Sequence, residues 1–198
     1  MKRTTLTTLL VSAGLALTLS ACGNSNTAAV PAGSEKAAAS TVAGIDAAHN
    51  DADVTFIKDM SPHHTGAIGM AELVADRSTN AKIKDLGSRI LAAQQPELIR
   101  MAAMGKAWGA KLDGAGHSMS GMGSSMDDDV AALKPLTGVA FDRAFLARML
   151  VHHGGALPMA KAELTGGQNP QGKALARAIF DAQTKEIAEM KALQADVA

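Results

Sequence analysis

Phe56-x3-Met60-x2-His63-His64-x-Gly66-Ala67-x2-Met70-Ala71 recurs as Phe145-x3-Met149-x2-His152-His153-x-Gly155-Ala156-x2-Met159-Ala160, at a constant offset of 89 residues. The same offset runs on without a gap through Asn80 and Asn169, Ile90 and Ile179, Gln94 and Gln183, Glu97 and Glu186, and Met101 and Met190. An internal repeat of this length is one supersecondary unit used twice. Within it the apolar residues step by 4, 3, 4, 3, 4 (Phe56, Met60, His63, Ala67, Met70, Val74), the spacing of a helical seam. Each unit therefore reads as two helices joined by a short turn, near 77–80 and 166–170. The spacing predicts helices over 53–76, 80–110, 141–165 and 170–196: an all-α four-helix bundle made of two duplicated hairpins.

The first His of each pair falls on the buried stripe and the second on its flank. Folding each hairpin about its turn sets His63 level with Gln94 and Met60 with Glu97. In the second hairpin it sets His152 level with Gln183 and Met149 with Glu186. Burying four imidazoles with amides and carboxylates costs free energy unless they are paired or used. Imidazole with thioether, and no thiolate, is a donor set that suits copper. Zinc favours cysteine or carboxylate company. A di-iron carboxylate bundle needs Glu-x-x-His, a spacing the chain lacks. The candidate ligands in this layer are Met60, His63, His64, Met149, His152 and His153. Gln94, Glu97, Gln183 and Glu186 are candidates for orienting the imidazoles. A haem held by His and Met stays open as an alternative.

Between the hairpins, residues 111–140 form a long crossover containing Gly116-His117-Ser118-Met119-Ser120-Gly121-Met122-Gly123-Ser124-Ser125-Met126. Methionines at steps of 3 and 4 in a Gly/Ser stretch are not explained by packing. His117, Met119, Met122 and Met126 form a second candidate site, soft enough for Cu(I) or its surrogate Ag(I). Asp127 to Asp129 then cap a short helical turn.

The N-terminus carries an address. Lys2 and Arg3 precede an apolar run, Leu6 to Leu19, too short to span a bilayer comfortably. Leu19-Ser20-Ala21-Cys22 follows, matching a bacterial lipobox, with Cys22 the only cysteine. Residues 1–21 are read as a lipoprotein signal peptide and Cys22 as the lipidation site, bearing acyl chains such as palmitate. Residues 22–50 are read as a flexible tether, with His49 solvated at its end, and residues 51–198 as the bundle. The protein would then sit on the extracytoplasmic face of the cell membrane, held by lipid. Lys plus Arg and Asp plus Glu are 19 each, so no basic excess supports nucleic-acid binding. Aromatics are 3% of the chain, which disfavours a β-sandwich or barrel.

The doubled Met-x-x-His-His motif, with the helix after it carrying Gln94, Glu97, Met101 and Trp108, resembles the domain of unknown function 305 family over about residues 53–197. The resemblance implies a ferritin-like four-helix bundle, exported, with some members binding copper. Carried over, it implies Met60, His63, His64, Met70, Met149, His152, His153 and Met159 as site positions. Pro96 departs from the repeat, since the fourth helix has Lys185 there. Three readings stand. The first is a lipid-anchored protein that sequesters copper or passes it between donor and acceptor proteins, and is not an enzyme. The second is an interaction lipoprotein without metal, and the third a copper, iron or haem redox protein. Oligomeric state is open.

Overall fold

The computed structural model describes residues 44–112 and 126–197. In chain order the elements are α1 (Asp51–Glu72), α2 (Val74–Arg77), α3 (Ala81–Trp108), α4 (Met126–Leu133), α5 (Gly138–Gly166) and α6 (Pro170–Asp196). No strand occurs among the described residues. The all-α expectation holds, and the four long helices begin and end within four residues of the predicted bounds. Two details differ. The first helix is interrupted at Leu73, whose N–H turns back to the carbonyls of Met70 and Ala71. The crossover carries a full eight-residue helix, α4, in place of a single helical turn.

Local chemistry explains the starts. Asn50 accepts from the N–H groups of Ala52 and Asp53, while Asp53 accepts from the Asn50 N–H, a reciprocal capping box. Asn80 and Asn169 occupy equivalent places in the two repeats and cap α3 and α6. Pro170 follows Asn169 at the first helical position, where no N–H is needed. Pro62, Pro96 and Pro158 lie inside helices that continue through them.

Each long helix runs antiparallel to its neighbours. Val74 meets Gly87, His64 meets Glu97, and Arg89 of α3 meets Glu189 of α6. Gly166, at the end of α5, lies beside Ala52 at the start of α1. The connection from α3 to α5 therefore leaves one end of the molecule and re-enters at the other. Apolar side chains form two clusters. One contains Met70, Val74, Leu86, Phe141, Phe145 and Met149; the other contains Phe56, Met60, Met101, Met104, Ala156 and Leu175.

Residues 44–50, read from sequence as tether, pack on the helices. Trp108 Nε1 donates to the Asp46 carbonyl at 3.0 Å, and Asn169 Nδ2 donates to the carbonyls of Asp46 and Ala48. His49 is not simply solvated. Its ring stacks on Trp108 with centroids 5.0 Å apart. Sequence periodicity cannot report this clasp, because it joins segments about 60 and 120 residues apart.

Candidate metal centre

Between the two apolar clusters every long helix contributes polar residues at one level. His63 and His64 come from α1, Gln94 and Glu97 from α3, His152 and His153 from α5, and Gln183 and Glu186 from α6. The two hairpins meet there. The rings of His63 and His152, equivalent in the repeats, lie with centroids 3.7 Å apart. The flanking imidazoles are each held by a carboxylate of their own hairpin. His64 Nε2 is 2.8 Å from Glu97 Oε2, and His153 Nε2 is 2.7 Å from Glu186 Oε2.

This pairing corrects the expected register by one helical turn, since Glu97 meets His64 and not Met60. Side chains on a helix lean toward its N-terminus. In an antiparallel hairpin His64 therefore leans away from the turn and Glu97 toward it, closing an offset between their backbones. The second hairpin repeats the slip. The amides of Gln94 and Gln183 are buried in the layer with no hydrogen-bond partner, so they do not hold the imidazoles as expected.

Two kinds of histidine result. With Nε2 engaged by a carboxylate, His64 and His153 each have Nδ1 left as the nitrogen available to a metal. Both Nδ1 atoms are buried and unpartnered. His63 and His152 have both ring nitrogens buried and unpartnered. Burial, reinforced by His64 and His153, pushes the His63 imidazole down to about 3. Burial, with His63 and the other two imidazoles, also holds His152 well below the usual range. Both are neutral at physiological pH, the form that coordinates metal.

Six buried imidazole nitrogens without partners are an unusual concentration, since buried polar groups are nearly always satisfied. They fit a soft or borderline cation. Among the described residues no three His, Cys, Asp or Glu side chains already converge on one point. A metal here would draw on the His63–His152 pair, on Nδ1 of the flanking histidines, and on thioethers. Met60 and Met149 are fully buried one turn before the His pairs. Met70 is also buried, whereas Met159 is partly exposed in a groove between α1 and α5. The structure thus separates two methionines that the repeat treats alike. His117, Met119, Met122 and Cys22 lie outside the described residues, as does the side chain of Met126.

One cluster has no sequence forecast. Asp53, fully buried, accepts from the backbone N–H groups of Asn50, Gln168 and Asn169. Glu163, 1% exposed, lies against it with neither oxygen otherwise partnered. Burial, then the Asp53 carboxylate, pushes Glu163 up to about 8. Burial alone would raise Asp53, but its backbone donors and the Glu163 proton outweigh it and hold it low. Glu163, set against Asp53 between α1 and α5, is thus the member of the pair that keeps its proton at neutral pH. A signal existed: Glu163 continues the apolar stripe of α5 at the position Val74 occupies in the first repeat.

Comparison with known proteins agrees with this architecture. The family model described as "Domain of unknown function (DUF305)" matches residues 53–194. No match is found among curated proteins. Among solved structures, CopM in its Cu(II)-bound form is 29% identical, with a TM-score of 0.64 over 74% of this chain and 97% of that one. A DUF305 fragment from Deinococcus radiodurans gives 29% identity and a TM-score of 0.65 over the same shares. A Streptomyces coelicolor DUF305 protein assigned as secreted gives 28% identity and 0.64 over 74% of this chain and 93% of that one. CopM is also similar in its Cu(I)-bound and Ag-bound forms.

Proposed function

This chain belongs to the DUF305 family, and from that premise we propose that it is a lipid-anchored, extracytoplasmic copper-binding protein that sequesters or hands on the metal without catalysing a reaction. The observation that carries the proposal is the central layer. Two repeats bring four histidines together in a layer between apolar clusters and leave six of their nitrogens unpartnered. The solved copper and silver forms of CopM support the choice of metal. The secreted relative and the lipobox at Cys22 support the location.

The residues divide the work. Glu97 and Glu186 fix the tautomer and orientation of His64 and His153, as carboxylates do behind metal-bound imidazoles. His63 and His152, kept neutral by burial, offer nitrogen donors. Met60 and Met149 supply soft sulfur nearby, which favours Cu(I) over harder ions. The stretch with His117, Met119, Met122 and Met126 is a second, softer capture point. Copper is cargo in this scheme, received from a donor protein and released to an acceptor.

Copper titration of the untagged mature protein tests it, with His63→Ala, His152→Ala and the double variant compared. Because the two rings touch, each single variant should lose most of the layer's Cu(I) binding, and the double variant little more. Strictly additive losses would show two separate sites. Wild-type protein holding no copper above micromolar affinity would favour the metal-free interaction reading.

A further inference from the structure

The repeat relates the two sides of the α1/α5 pair, so it generates two equivalent grooves on their outer face. One is filled. Helix α4 packs on both α1 and α5. There Leu133 is fully buried with Met70 and Phe145, and Val130 packs on the same cluster. Gly69 makes room for it, since a Cβ at that position would stand 3.1 Å from a Val130 methyl. Arg148 on the rim pairs with Asp129 of α4 at 3.2 Å.

Among the described residues, nothing covers the second groove. It encloses about 470 Å³ and is lined mainly by Thr55, Phe56, Asp59, Pro158, Met159 and Ala162, with Asp51 at its rim. Shifting by 89 residues converts these positions into those under α4. Phe56 corresponds to Phe145, Met159 to Met70, Ala162 to Leu73 and Asp59 to Arg148. The floor is kept and the rim charge is reversed. Met70 is 1% exposed beneath α4, whereas its counterpart Met159 is only partly covered. Ala162 in place of Leu73 widens the open groove, while Pro158 in place of Gly69 makes it shallower at one point. No lysine or arginine lines it.

We propose that this open α1/α5 groove docks a short amphipathic helix of a partner protein, one that seats apolar residues as α4 seats Val130 and Leu133 and carries a basic residue where α4 carries Asp129. The filled twin shows the shape that fits, an apolar helix face laid into a groove. The exchange of Arg148 for Asp59 sets the sign of the charge, and Asp51 reinforces it.

The test uses mature protein labelled with 13C-methyl methionine, read at the Met159 methyl. Two peptides serve as probes. One is residues 126–136 of this chain; the other is the same peptide with Asp127→Lys, Asp128→Lys and Asp129→Lys. The basic peptide should shift Met159 saturably and the native acidic one should not. Asp59→Arg should weaken the basic peptide at least tenfold and admit the acidic one, and Ala162→Trp should abolish both. Asp59 and Ala162 lie toward the surface, and an unchanged circular dichroism spectrum confirms that each variant folds. The proposal is overturned if the basic peptide leaves Met159 unmoved to millimolar concentration, or if binding survives both variants. It is also overturned if Met159 shifts with protein concentration alone, which makes a second copy the occupant. A Met159 signal that responds to removal of residues 22–43 from the mature protein overturns it as well, because the chain's own N-terminal segment then fills the groove.

Discussion

His63 and His152 carry opposite costs in the free and the loaded protein. Without metal they are buried imidazoles with no hydrogen-bond partner, and such groups destabilise a fold. Replacing both by leucine should therefore leave the metal-free protein as stable or more stable, by about 1 to 3 kcal/mol, while removing copper binding. The gain should be larger in acid. Folded His63 is pushed down to about 3, whereas the unfolded imidazole titrates near 6.5. The unfolded chain then binds more protons, so wild-type stability falls as pH drops from about 6.5 toward 3. Urea melts of wild type and variant at pH 7 and 5 measure both effects. Glu163 acts in the opposite sense. It keeps its proton up to about 8 against an ordinary 4.5, so its contribution is complete below about pH 4.5 and is lost as pH rises through 8. Asp53, held low, loses its contribution only as pH falls below its ordinary 3.8. Glu163→Gln keeps a donor toward Asp53 and cannot ionise. It should raise the Tm at pH 9 by roughly 2–5 °C and leave the Tm at pH 5 nearly unchanged. A Tm that tracks wild type at both pH values would mean that burial does not raise the Glu163 carboxyl.

Helices approach closely where α3 carries Gly87, a position the second repeat fills with Ala176. A Cβ at Gly87 would stand 2.9 Å from the Val74 Cβ, so the Val74 side chain of α2 packs directly on the α3 backbone. Alanine favours an isolated helix by about 1 kcal/mol over glycine. Here the collision should outweigh that preference, and Gly87→Ala should destabilise by about 1–2 kcal/mol net. Chemical denaturation settles the sign. Gly167 and Gly172 answer a different need, since a Cβ at either would run into the Glu163 carboxyl. The close turn between α5 and α6 is thus shaped by the acid pair it covers. The interruption at Leu73 belongs to the same scale. It sets off the last turn, α2, which carries Val74 onto Gly87.

For the molecule as a whole, the proposed membrane anchor should be separable from the domain. The core clusters and the central layer all lie between Phe56 and Val197, so Cys22→Ala should release the protein from the membrane fraction with an unchanged melting curve. Fractionation followed by thermal unfolding of the released protein checks this. Full retention on the membrane would place the anchor elsewhere. No described helix is long and apolar enough to cross a bilayer.

Periodicity and repetition were enough to determine the all-α class, the hairpin duplication and the arrival of all four core histidines at one level. These follow from helical spacing, which is local and written along the chain. The 4, 3, 4 stripe names the buried face, and the constant offset makes the second hairpin copy the first. Three things were decided only by the tertiary structure. Register across a hairpin depends on how side chains lean, so the glutamates found His64 and His153 rather than the methionines. Equivalent positions in the repeats separated because one groove is covered by α4 and the other is not, which buries Met70 and leaves Met159 partly open. The raised Glu163 carboxyl beside Asp53 depends on helix ends more than a hundred residues apart along the chain. Burial and electrostatic coupling are properties of neighbours in space, and a single sequence orders its residues only along the chain.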